Sequence, residues 1–116
     1  MTAHQIIDQG SVAQARARML PPRTAREAQR VMTCICDPTR FKMVRALLAT
    51  ELAAGDLAIV IERSRSATSH HLRILREADA VQRRREGNVI HYRLSSDISG
   101  SVLEKLGKAF DLLATA

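Results

Sequence analysis

Arg65-Ser66-Ala67-Thr68-Ser69-His70-His71-Leu72-Arg73-Ile74-Leu75-Arg76-Glu77 is the stretch whose reading decides the fold. Its spacing predicts a short helix. Ala67, His71, Leu72, Ile74 and Leu75 gather on one half of a helical wheel. Ser66, Ser69, His70 and Arg73 recur at i, i+3, i+4 and i+7 and share the other face. Short polar side chains with a cation on an exposed face suit hydrogen bonding to base edges and phosphates. The stretch therefore reads as a recognition helix for DNA, with His70 outward and His71 inward.

The flanking segments give this helix a setting. Upstream, Asp56 is placed to cap a short helix over 57–62, Arg63-Ser64 makes a turn, and Ser64 caps the helix that follows. A short helix, a tight turn and a second helix with a polar outer face make a helix-turn-helix over 56–78. Downstream of Ala80 the apolar period changes from 3.6 to 2. Val81 to Arg85 and Asn88 to Leu94 read as strands, with Glu86-Gly87-Asn88 supplying the turn. A hairpin at 81–94 with arginines on one strand reads as a wing.

Further out, residues 5–20 carry a helical pattern that Gly10 weakens and Pro21-Pro22 ends. Thr24-Ala25-Arg26-Glu27 matches a capping box, predicting a helix over 25–35. Asp37-Pro38 restarts the chain as N-cap and first helical residue, and that helix runs to Thr50. Glu51 to Gly55 reads as a break. Asp97 opens a last helix, to Leu113, with Ile98, Val102, Leu106, Phe110 and Leu113 as an apolar stripe. So wide an apolar face on a terminal helix points to a partner helix in a dimer.

Length and charge fit this reading. The chain has 116 residues, enough for one domain over 1–116, and only three aromatics, so aliphatic residues fill its core. The net charge is +6, and it is concentrated: Arg63 to Arg93 holds eight arginines against three carboxylates. Fifteen of the eighteen basic residues are arginine, whose fork matches phosphate and guanine. No apolar run is long enough for a transmembrane span, and no signal peptide is expected. Cys34 and Cys36 are too close for an unstrained disulfide, so reduced thiols and a cytoplasmic location are expected.

Asp37-Pro38-Thr39-Arg40, then Asp56-Leu57-Ala58, then Ser69 through Ala78, then Arg84-Arg85-Glu86-Gly87-Asn88 and His91-Tyr92-Arg93-Leu94 resemble, in order and spacing, the ArsR/SmtB family. These are dimeric winged-helix repressors of bacteria and archaea, and the resemblance covers residues 30–95. It implies a mainly α fold with a small β-hairpin: four helices, the recognition helix, the wing and a terminal helix. It implies a homodimer built from the first and last helices, segments 1–22 and 97–116. It implies a repressor that leaves its palindromic operator in double-stranded DNA when an inducer binds. By position it implies that Arg65, Ser66, Ser69 and His70 face the groove. Arg73 then reaches phosphate from the same face, and Arg84 and Arg85 do so from the wing. His71 and Leu72 fall toward the core.

Members of that family often sense metals or metalloids. The Cys-x-Cys of one recurrent site is missing, because Glu51-Leu52-Ala53-Ala54-Gly55-Asp56-Leu57 has Ala53 and Gly55 where thiolates would stand. An Asp/His/His/Glu set on the terminal helices is missing too, since Ser96, Ile98, Ala109 and Leu112 occupy its places. Cys34-Ile35-Cys36 remains. Thiolates there suit As(III), Cd(II), Cu(I) or Zn(II), with His4 as a further ligand. Residues i and i+2 of a helix diverge by about 200°, so chelation needs a frayed helix or a second chain. Oxidation or persulfidation of a thiol is a second reading, and two apolar core cysteines a third.

An enzyme is not expected. There is no Gly-rich phosphate loop, no His-Glu zinc motif and no nucleophile elbow. A winged-helix protein-interaction module without a metal site is the other alternative. Such a module has no need of the positive charge on helix and wing.

Overall fold

A computed structural model describes residue 5 and residues 7–115. In chain order the elements are α1 (Gln9–Ala17), α2 (Pro22–Cys36), α3 (Pro38–Ala49), β1 (Leu52–Ala53), α4 (Ala54–Ile61) and α5 (Arg65–Glu77). The hairpin β2 (Val81–Glu86) and β3 (Val89–Leu94) follows, then α6 (Ile98–Ala109) and a single turn, α7 (Asp111–Ala114). The mainly helical winged helix-turn-helix is present, with α5 as the expected recognition helix.

Short polar residues set most of the boundaries. Asp37 ends α2 and caps α3, its carboxylate accepting the Arg40 N–H at 2.9 Å, with Pro38 at the first position. Ser64 Oγ accepts the Ala67 N–H at 3.0 Å and opens α5. Asp97 caps α6 through the Gly100 N–H. Gly87, at φ 62°, makes the hairpin turn, where a positive φ matches the right-handed twist of the strands.

Four details of the chain from α2 onward differ from expectation, and one before it. First, α2 opens at Pro22, not after Thr24. Proline at the first helical position has a pre-set φ and no N–H to satisfy, so Thr24 lies inside the helix and its capping box is unused. Second, the expected break at Glu51–Gly55 contains β1, which pairs antiparallel with β3 (Leu52↔Tyr92, Ala53↔His91) to give a three-stranded sheet in the order β1-β3-β2. Third, α4 begins at Ala54, which puts Asp56 in its first turn, where a carboxylate favours the positive end of the helix dipole. Fourth, the terminal helix breaks at Phe110. The first helix is also shorter than the predicted 5–20; it starts at Gln9 and has no buried residue, and residue 6 of the expected span lies outside the described residues.

Met43 of α3, Leu57 of α4, Leu72 and Leu75 of α5, and Leu103 of α6 are essentially fully buried and form the centre of one core. Each such leucine contributes roughly 1.5–3 kcal/mol relative to an exposed one. Thr68, also fully buried, donates its hydroxyl to the Ser64 carbonyl at 2.8 Å, so no polar group is orphaned there. Of the expected stripe, Leu106 packs against this core and Phe110 meets Phe41 edge-on with ring centroids 5.1 Å apart, whereas Ile98 is 82% exposed and Val102 and Leu113 are exposed too. Among the described residues no helix is long and apolar enough to cross a membrane.

Candidate nucleic-acid interface

The two sides of α5 separate as its wheel predicts. Thr68, Leu72 and Leu75 are buried and His71 is half-buried, while Arg65, Ser66, Ser69, His70 and Arg73 are exposed. Ser66, Ser69, His70 and Arg73 line one shallow concavity of about 770 Å³, and Tyr92 of β3 closes its far side. A second hollow, about 350 Å³, joins the start of α4 to the wing tip and contains Arg65, Asp56, Asn88, Ile90 and Tyr92. Arg65 lies over Gly55, where an added Cβ would come within 3.4 Å of its Nη1. The helix and the wing therefore form one surface, and Tyr92, which borders both hollows, is the residue that sequence reasoning missed.

The two wing arginines singled out from the sequence point to opposite faces. Arg84 lies opposite His91, and Arg85 opposite Ile90. Arg84 donates from Nε to Glu51 Oε1 at 3.3 Å and from Nη1 to Glu86 Oε2 at 2.9 Å. Glu86, then Glu51, pushes the Arg84 pKa further up, and Arg84 holds the Glu86 carboxyl below the usual carboxylate range. Arg85 donates from Nε to the Gly87 carbonyl at 3.0 Å and makes no ion pair among the described residues. Arg85 thus shares a sheet face with Ile90, which borders the second hollow, and Arg84 shares the other face with His91. Strand alternation was the available signal for this split.

The two cysteines occupy different surroundings. Cys34 is 2% exposed within the core, and burial pushes its thiol pKa up; Cys36 is exposed. Helix α2 is unbroken through Cys36, so the two thiols diverge by about 200° and do not fit one ion within a protomer. Among the described residues there is no group of three or more His, Cys, Asp or Glu able to hold a metal ion. His4 lies outside the described residues.

Comparison with known proteins bears on this surface. The family model for bacterial regulatory proteins of the arsR family matches residues 37–83, which span α3 to the start of the wing. The transcriptional repressor SdpR of Bacillus subtilis is 37% identical over 68 residues, 59% of this chain and 76% of that protein. A SmtB homolog of Synechocystis, also a transcriptional repressor, is 34% identical over 86 residues, 74% of this chain and 65% of that protein. The structure of HlyU from Vibrio cholerae superposes with a TM-score of 0.70 at 29% identity, covering 78% of this chain and 98% of HlyU.

Proposed function

Because the chain belongs to the arsR family of bacterial regulatory proteins, we propose that it is a sequence-specific transcriptional regulator that grips double-stranded DNA as a homodimer. The observation that carries this reading is the exposed α5 face. It offers two hydroxyls, an imidazole and two guanidiniums on a surface continuous with the wing. With α5 in the major groove, Ser66, Ser69 and His70 reach base edges, Arg65 and Arg73 take phosphates, and Arg85 extends the contact along the backbone.

Repression is the mode that SdpR and the SmtB homolog support, and a two-fold dimer calls for a palindromic operator. The homodimer follows from the apolar residues that the single chain leaves uncovered. Leu20, Ala28 and Val31 of the α1–α2 region and Ile98 and Val102 of α6 line an apolar groove of about 580 Å³, and Leu112 and Leu113 extend the exposed face. Segments 1–22 and 97–116 thus serve as dimerisation helices on either side of a helix-turn-helix at 56–78 and a wing at 81–94.

An inducer that acts on thiols acts at Cys36, which is exposed and adjoins the cap of α3, rather than at a Cys34/Cys36 chelate for As(III), Cd(II) or Zn(II). The test of the whole reading is titration of the purified protein with duplexes spanning the promoter of its own gene. Binding should be one dimer per palindrome and should weaken by orders of magnitude between about 50 and about 200 mM salt. Absence of binding to every such duplex at low salt removes the proposal.

A further inference from the structure

We infer that the wing meets DNA through Arg83 and Arg85, and that Arg84 is a brace that faces away from it. The inference rests on the DNA-binding reading above and assigns the wing side chains within it. In an antiparallel pair, residues directly opposite one another project from the same face, and neighbours along a strand project from opposite faces. The register sets Arg83 opposite Tyr92 and Arg85 opposite Ile90. Tyr92 borders the hollow that contains Ser66, Ser69, His70 and Arg73, and Tyr92 and Ile90 border the hollow that contains Arg65. Arg83 and Arg85 therefore stand on the face that continues the recognition helix. Both are exposed, and neither has a carboxylate partner among the described residues.

The opposite face has a different electrostatic character. Arg84 is held between Glu51 and Glu86, and Glu86 Oε2 is also 3.8 Å from His91 Nε2. Glu51 and Glu86 thus neutralise the Arg84 guanidinium, which leaves it a weaker attractor of phosphate than the unpaired Arg83 and Arg85. Arg84 could reach DNA only by giving up two charge-assisted hydrogen bonds. Its bond to Glu51 instead ties β2 to the residue just before β1, across the central strand β3.

Each arginine that neutralises a phosphate displaces counterions, and each lost phosphate contact lowers the slope of log affinity against log salt by about 1. The experiment measures that slope for the wild type, Arg83→Ala, Arg85→Ala and Arg84→Ala, on a duplex of its own promoter and on an unrelated duplex of equal length. Thermal melting of each variant confirms that it is folded. Arg83→Ala and Arg85→Ala, each removing one contact from both wings of the dimer, should each lower the slope by about 2 on both duplexes, whereas Arg84→Ala should leave it within experimental error of the wild type. If Arg84→Ala flattens the slope and Arg83→Ala does not, the face assignment is overturned while DNA binding stands. If the wild type itself binds neither duplex, the DNA reading falls and the wing assignment falls with it.

Discussion

Arg40 Nη1 stands 3.3 Å from Nδ1 of His71, joining the first turn of α3 to the inner side of the recognition helix. A guanidinium only donates, so Nδ1 must hold its lone pair and the ring proton sits on Nε2. The same guanidinium donates from Nη2 to the Thr33 carbonyl at 3.1 Å, and the Arg40 backbone N–H donates to the Asp37 carboxylate. One side chain thus connects the end of α2, the start of α3 and α5. Its Nε is buried and has no partner among the described residues. The junction that carries Cys36 is therefore in direct polar contact with the helix proposed to read DNA.

The partial burial of His71 makes stability depend on pH. Burial lowers the His71 pKa from its usual 6.5; the Asp37 carboxylate opposes this, and the charges of Arg40, His70 and Arg63 add to it. Because the folded value lies below the unfolded one, the unfolded chain binds more protons in the interval between them. The stabilisation is complete above pH 6.5 and is lost as pH falls through the folded pKa. His71→Gln should abolish this slope while keeping an acceptor for Arg40. Urea midpoints measured across that interval for both proteins check it, and identical slopes would rule His71 out.

The two faces of α5 should separate in binding assays. Arg73→Ala should weaken all duplexes about equally, because phosphate contacts carry no sequence information. Ser69→Ala and His70→Ala should each cost roughly 1–3 kcal/mol on the preferred sequence and little on unrelated DNA. Competition binding with single-base operator variants reads this out. Unchanged sequence preference in both variants would remove Ser69 and His70 from the base-reading set.

The glycines of α6 should respond unequally to alanine. A Cβ on Gly100 would collide with the backbone of Ser95, and Ser95 is itself pinned by its N–H to the Ala80 carbonyl at 2.8 Å. Gly100→Ala should therefore destabilise by about 1–3 kcal/mol despite the better helix propensity of alanine. A Cβ on Gly107 would come within 2.6 Å of Leu48 Cδ1, the mobile end of a side chain that can turn aside. Gly107→Ala should stay within about 1 kcal/mol of wild type. Denaturant titrations of the two variants decide the order.

The thiols should be told apart by alkylation. Cys36 should react in the native protein, whereas Cys34, buried and with its pKa pushed up by that burial, should react only on unfolding. Mass spectrometry after brief iodoacetamide treatment reads both sites. Rapid native labelling of Cys34 would show that the core opens there and would restore a paired role for the two cysteines.

Much of this was legible in the chain because it depends on neighbours. Periodicity of 3.6 residues divided α5 into Leu72 and Leu75 inside and Ser69 and His70 outside. Asp37-Pro38, Ser64 and Asp97 marked helix starts through side-chain bonds spanning three residues, and Gly87 marked the turn. Such signals act over a single turn of chain, so the sequence alone contains the terms that decide them.

Other features needed the packed molecule. A strand as short as Leu52–Ala53 has no period to detect and exists because Tyr92 and His91 lie beside it. Three consecutive arginines look alike until Glu51, 33 positions before Arg84, claims one of them. Cys34 and Cys36 differ only in what the core covers, and Arg40 meets His71 across 31 positions. Within a strand or helix the geometry repeats, so local spacing predicts which residues share a face. Which face is covered, and by what, depends on contacts between segments distant in the chain, and only their packing brings those together.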